Sequence, residues 1–185
     1  MTTITPLAIA EVLLITPKRH GDARGWFAET WSRKALAAGG ISPQFVQDNQ
    51  AFSARKGTLR GLHFQKAPSA QGKLVRVLKG SIFDVAVDIR RSSPHFGKWI
   101  GVTLEAGDGR QLWIPPGFAH GFYVLSESAD VSYKCTTVYH AESNRSIRWD
   151  DPSIAIRWPV TAGTAPLLSP KDAAAATLES ARWFE

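Results

Sequence analysis

The chain predicts an all-β fold, an antiparallel sandwich or jelly roll with few short helices, and three observations carry that reading. Short segments alternate apolar and polar residues with the period of two that a half-buried strand requires. Glycine and proline divide those segments, with Lys79-Gly80 and Gly107-Asp108-Gly109 as turn signals. Helical periodicity is confined to two short stretches. The 185 residues are 44% hydrophobic and 21% charged, enough for one domain with its own core. No repeat, low-complexity linker or composition break divides them. Residues 1–185 therefore read as a single unit whose core spans about 44–150.

The elements follow in order. Residues 7–15 (Leu-Ala-Ile-Ala-Glu-Val-Leu-Leu-Ile) read as a strand. No basic stretch precedes them, Glu11 interrupts them and Pro17 ends them, which argues against a signal core. Residues 32–38 (Ser-Arg-Lys-Ala-Leu-Ala-Ala) read as a helix. Strands are expected near 44–52, 58–65, 73–79, 81–89, 96–105, 111–115, 119–125 and 130–139. Over 81–89 one face carries Phe83, Val85, Val87 and Ile89; the other carries Ile82, Asp84, Ala86 and Asp88. A C-terminal helix is expected around 171–181, Ala-rich and started by Ser169-Pro170.

Twenty-two Lys and Arg against 16 Asp and Glu give a net charge of +6, which suits an acidic ligand such as a nucleotide or a phosphorylated metabolite. The basic residues stand singly among aromatics and glycines. That pattern favours a defined site over a nucleic-acid stripe. No apolar run reaches the length of a membrane span. The one cysteine, Cys135, excludes an internal disulfide and a Cys-rich zinc site, and favours the cytoplasm.

The string Gly57-Thr58-Leu59-Arg60-Gly61-Leu62-His63-Phe64-Gln65 interleaves a cation and a histidine with apolar residues. Strand alternation puts Arg60 and Leu62 on one face and Gly61, His63 and Gln65 on the other. A neutral imidazole near a cation suits a general base acting on an anionic substrate. A core histidine bonded to backbone is the alternative. Further on, Gly109 to Phe122 has the spacing G-x5-P-x-G-x2-H, in which Pro115 and Gly117 build a tight turn ahead of His120. This resembles the second motif of the cupins, a jelly-roll superfamily. Many cupins bind a metal with two histidines and a glutamate from the first motif. Here Gln65, Ser69 and Ala70 stand where two of those ligands would fall, so no metal site is expected. Asp84 lies opposite the Phe83 row and is expected to partner His120 or Lys73.

The same residues, with others spread along the chain, resemble the dTDP-4-dehydrorhamnose 3,5-epimerase family. The matching strings are His20-Gly21-Asp22-Ala23-Arg24-Gly25-Trp26-Phe27-Ala28-Glu29, Gln47-Asp48-Asn49-Gln50, Leu59 to Gln65, Gly72-Lys73-Leu74-Val75-Arg76-Val77 and Phe83 to Arg90. Ile114 to Phe122, Tyr133-Lys134-Cys135, Trp149-Asp150-Asp151-Pro152 and Leu168 to Asp172 complete them. The resemblance implies a cofactor-free isomerase that inverts C3 and C5 of dTDP-4-keto-6-deoxyglucose. By that resemblance His63 is the base and Asp172 its partner. Tyr133 reprotonates the opposite face, Lys73 faces the C4 enolate and His120 lies close to the sugar. Arg24, Phe27, Glu29, Gln47, Asn49, Arg60, Asn144 and Lys171 would join Lys73 and His120 in holding the dTDP-sugar. A homodimer with exchanged strands is implied too. Packing alone would equally explain Phe27, and a surface ion pair Arg24 with Glu29. The family carries an acidic residue where this chain has Asn144, which keeps hydrogen bonding and loses charge. The alternative reading is a relative that epimerises C3 alone, or a ketoisomerase on a related dTDP-deoxysugar.

Overall fold

The computed structural model describes residues 2–161 and 163–180. The chain runs β1 (Thr3–Pro6), β2 (Leu13–Thr16), β3 (Arg19–Asp22), β4 (Gly25–Ala28), α1 (Arg33–Ala38), β5 (Gln47–Ser53), β6 (Leu59–Gln65), β7 (Lys73–Lys79) and β8 (Ser81–Asp88). It continues with β9 (Trp99–Glu105), β10 (Gln111–Ile114), β11 (Phe118–Val124), β12 (Ala129–Cys135), a 3-10 turn, β13 (Asn144–Ser146) and α2 (Pro170–Ala173). A six-stranded sheet, β1-β2-β10-β7-β12-β5, faces a five-stranded sheet, β13-β6-β11-β8-β9. Every pairing within them is antiparallel. The sheets form an open sandwich, not a closed barrel. β3 and β4 make a separate two-stranded ribbon.

The core between the sheets joins Val75, Val77, Leu112 and Val131 of one to Ile82, Ala86, Leu104 and Phe122 of the other. Each outer face is covered as well. Helix α1, capped by the Ser32 hydroxyl accepting from the Ala35 N–H, brings Leu36 against Leu74 and Trp113. On the other sheet the all-apolar face of β8, Val85 and Val87, points outward under Ile147, Ile154, Leu178 and Trp158. The mixed face of β8 therefore points inward and buries Asp84 and Asp88 completely. Asp88 is met by Arg90 and Ser93.

Several expectations change. The strand foreseen over 7–15 begins only at Leu13, because residues 7–12 form the bend between β1 and β2, closed by Leu7 N–H to the Val12 carbonyl. The strand over 96–105 begins at Trp99, after a turn in which the Lys98 N–H reaches the His95 carbonyl. The strand over 130–139 stops at Cys135; after a last backbone bond from the Thr136 N–H to the Gly72 carbonyl, side chains bond the Thr137 carbonyl and the Tyr139 N–H. β1, the ribbon and β13 were not foreseen; β1 is mostly exposed and has no amphipathic signature. The helix foreseen over 171–181 spans only Pro170–Ala173, and residue 181 lies outside the described residues. Alanine propensity is overridden by tertiary pairing: Ala176 bridges Ile147 in parallel, and its carbonyl accepts from the Arg148 N–H. Among the described residues no helix is long and apolar enough to cross a membrane.

One irregularity decides how the site is built. Arg60 pairs with Phe122, and His63 with His120. Two residues, Gly61 and Leu62, therefore oppose the single Gly121, a bulge on β6. The extra residue reverses the alternation, so Arg60 and His63 border one cleft instead of facing apart. Only glycine fits the crossing. A Cβ at Gly61 (φ +127°) would lie 2.5 Å from the Gly121 Cα, and one at Gly121 would lie 2.8 Å from the Arg60 carbonyl oxygen.

Candidate active site

Residues of both sheets line a cleft of about 350 Å³. The six-stranded sheet supplies Gln47, Asn49, Lys73 and Tyr133; the five-stranded sheet supplies His63, Gln65 and Asn144. Loop residues Gln71 and Tyr139 complete the lining. A second cleft of about 300 Å³ adjoins it through His63 and carries Arg60, Lys171 and Asp172. A molecule lying between the sheets would thus meet the imidazole from one side and the phenol from the other.

His63 donates from Nε2 to Asp172 Oδ1 at 2.5 Å. The acceptor fixes the tautomer, which leaves Nδ1 with a free lone pair. Asp172 is buried, and its own N–H caps onto the Ser169 hydroxyl at the start of α2. Burial is the largest single influence and works against its charge, but the hydrogen bonds from His63, Ser169 and Gly61 and the charge of His63 together hold the carboxyl below its usual range. The bulged Gly61 adds a backbone N–H to the same carboxylate. A second such pair stands behind the first: His120 Nε2 donates to Asp84 Oδ1 at 2.7 Å, as the alternation of β8 foretold. Burial lowers the His120 pKa despite Asp84, so this ring is neutral. His120 is 6% exposed and does not line the cleft; it backs the cleft wall.

Lys73 is buried with its ammonium 5.9 Å from the centre of the Tyr133 ring. Burial lowers its pKa, opposed by Cys135 and Asp84. Burial raises the pKa of Tyr133, so the phenol keeps its proton. The amides around them form a directed chain. The Tyr139 N–H can only donate, so the Gln47 oxygen must accept it, at 2.8 Å. Gln47 then donates to Asn49 Oδ1 at 3.0 Å, and Asn49 donates to Cys135 Sγ at 3.4 Å. Burial raises the Cys135 pKa and keeps it a thiol.

The residues singled out in the sequence thus divide. His63, Tyr133, Lys73, Gln47, Asn49 and Asn144 share one cleft, and Arg60, Lys171 and Asp172 share its neighbour. Arg24 and Phe27 lie apart, on the ribbon, exposed. Glu29 is exposed beyond β4, and Arg24 pairs with Asp22 instead of with Glu29. Gln71 was missed, since a loop carries no period to read, and Tyr139 was read as the end of a strand that stops at Cys135. Gln65, read as sharing the His63 face and as standing at a missing metal-ligand position, is part of the wall. Among the described residues no group of three His, Cys, Asp or Glu is placed to hold a metal ion.

A family model described as dTDP-4-dehydrorhamnose 3,5-epimerase matches residues 6–180. The chain is 50% identical over 182 residues to the dTDP-4-dehydrorhamnose 3,5-epimerase of Salmonella typhimurium (strain LT2), covering 98% of each. With that of Escherichia coli (strain K12) it shares 52% over 172 residues, 92% of this chain and 91% of the other. Among solved structures it is similar to the dTDP-6-deoxy-D-glucose-3,5-epimerase of Legionella pneumophila in complex with dTDP-4-keto-L-rhamnose. That match has 52% identity and a TM-score of 0.92, and covers 98% of this chain and 95% of that one. A 3'-monoepimerase of Streptomyces bikiniensis in complex with dTDP-quinovose is similar at 32% identity and a TM-score of 0.88, covering 96% and 88%.

Proposed function

The chain belongs to the dTDP-4-dehydrorhamnose 3,5-epimerase family, and on that premise we propose that it turns dTDP-4-keto-6-deoxyglucose into dTDP-4-keto-L-rhamnose by proton transfer at C3 and C5. It is an isomerase. The observation that carries the mechanism is the placement of His63 and Tyr133 on opposed sheets of one cleft, with Lys73 beside the phenol.

C3 and C5 both flank the C4 ketone, so each C–H is acidified by the carbonyl. His63 Nδ1 takes the proton, and the C–H electron pair moves into an enolate at C4. The Lys73 ammonium lies where it can stabilise that oxyanion in a desolvated site. The Tyr133 hydroxyl returns a proton to the opposite face, and inversion results. Asp172 supports the imidazolium. The reaction is redox-neutral, so its steps call for no nicotinamide. Arg60 and Lys171, in the adjoining cleft, suit the pyrophosphate.

We infer a homodimer in which the ribbon of one protomer brings Arg24, Phe27 and Glu29 to the cleft of the other. Its support is that Arg24 is 90% and Phe27 71% exposed, and neither touches the cleft of its own chain. A single free thiol fits the reducing cytoplasm.

The test is incubation with dTDP-4-keto-6-deoxyglucose in D₂O, followed by proton NMR. Deuterium entering at both carbons supports the double epimerisation. Exchange at C3 alone assigns the chain to monoepimerase chemistry, and exchange at neither carbon overturns the substrate.

A further inference from the structure

The segment after β12 forms the outer wall of the cleft, although its backbone belongs to no sheet. Past Thr136, whose N–H still reaches the Gly72 carbonyl, it is tied to the rest of the molecule largely through side chains. Gln71 donates to the Thr137 carbonyl at 2.6 Å, and Thr137 Oγ1 donates to the Ala70 carbonyl at 3.0 Å. Gln47 accepts the Tyr139 N–H. The central anchor is Gln65, 5% exposed and two residues beyond His63 on the same strand. Its oxygen accepts the His140 N–H at 2.7 Å, and its amide donates to the Val138 carbonyl at 3.2 Å and the Ser69 carbonyl at 2.7 Å. One carboxamide therefore satisfies three backbone groups from two loops. Tyr139 stands between two of these groups in sequence and is held again at its hydroxyl, where Asn144 donates at 3.3 Å.

We propose that Gln65 is a positioning residue: it ties the Val138–His140 wall to the strand that carries His63, and so sets the affinity of the cleft for its nucleotide-sugar. The inference rests on the nucleotide-sugar reading of the cleft. Gln65 takes no part in proton transfer, because both ends of its amide are spent on backbone. Its effect belongs in KM and not in kcat. No other common side chain reproduces two donors and one acceptor at that reach.

The experiment compares wild type, Gln65→Glu and Gln71→Met, measuring turnover of the keto-sugar and calorimetric binding of dTDP alone. At about pH 8 the ionised carboxylate of the Gln65→Glu variant keeps the acceptor for His140 and loses both donors. KM and the dTDP dissociation constant rise about tenfold or more, with kcat within about threefold. At about pH 5.5 a protonated carboxyl regains one donor, and the gap to wild type narrows. The ionisable groups around position 65 are His63 and Lys66 near it in the chain, Lys73 and Tyr133 across the cleft, and Tyr139 and His140 in the wall. Wild type shares all of them, so the ratio isolates the substitution. Gln71→Met removes one anchor and raises KM by a smaller factor; it decides the matter if Gln65→Glu does not fold. A fall in kcat at constant KM, unchanged constants, or a gap independent of pH overturns the proposal. Wild type that binds dTDP without turning over the keto-sugar overturns the substrate reading alone, and the dTDP titration still decides the role of Gln65.

Discussion

On the proposed mechanism His63 and Tyr133 divide one reaction between two chemistries, and their substitutions should fail differently. His63→Ala lowers kcat by about 10²–10⁴-fold and leaves dTDP binding in place; deuterium exchange and calorimetry read the two effects separately. On the same mechanism the alkaline limb of activity is expected to follow Lys73. Burial pushes the lysine down and the tyrosine up, so the ammonium is lost first as pH rises. Turnover should therefore decline below the pH of an ordinary lysine, about 10.4, and a slow Tyr133→Phe enzyme should keep the same decline. If the decline vanishes in Tyr133→Phe, the phenol and not the ammonium is the titrating group. At this scale His63 stood out by residue type and setting, whereas Lys73 and Asp172 stood out only through the family resemblance; the structure lines the cleft with Lys73 and pairs Asp172 with His63. Tyr139 escaped because its place depends on backbone bonds to Gln47 and Gln65, which come from other strands.

At the scale of elements, the bulge on β6 is the device that puts Arg60 and His63 on one side. Period-two alternation read the strand correctly up to Gly61 and wrongly across it. A one-residue insertion leaves no mark on the hydrophobic pattern other than the glycine itself. Gly121→Ala tests its importance, since the new Cβ would stand 2.8 Å from the Arg60 carbonyl oxygen and the backbone would have to yield. A loss of about 1–3 kcal/mol in urea unfolding is expected, together with a fall in kcat as His63 shifts. Wild-type values for both would mean that β6 and β11 have more room than their spacing indicates. The short α2 teaches the converse lesson. Five alanines promised a longer helix, but the chain was needed to cover the sheet beside Ile147.

On the scale of the whole molecule, the two-sheet architecture was legible from strand periodicity, and the covering of its outer faces was not. The residues that cover β8, from Ile154 to Leu178, lie mostly outside regular elements and offer no period. Buried ionisable groups tie this architecture to pH. His120 is held neutral below its ordinary value of about 6.5, so an unfolded chain binds a proton there that the folded one does not. Stability therefore falls as pH drops through that window. Asp88, Asp151 and Asp172, all held low by hydrogen bonds that outweigh burial, extend the loss to lower pH, from about 3.9 down. Calorimetry should show the melting temperature dropping between about pH 7 and pH 5, and His120→Gln should flatten that part of the curve. The covering segment has one more role. It is pinned where Thr58 meets Leu167, where Ile147 meets Ala176 and where Asp151 accepts the Leu178 N–H, and it brings Asp172 to a histidine 109 residues earlier in the chain. Strand pairing within the sheets and delivery of that carboxylate are thus contributions of different parts of the chain. A protease cutting the exposed stretch near Gly163 would leave both sheets paired while freeing the segment to lift away. A ribosome releasing the chain would likewise display paired strands whose proposed base has yet to receive its carboxylate.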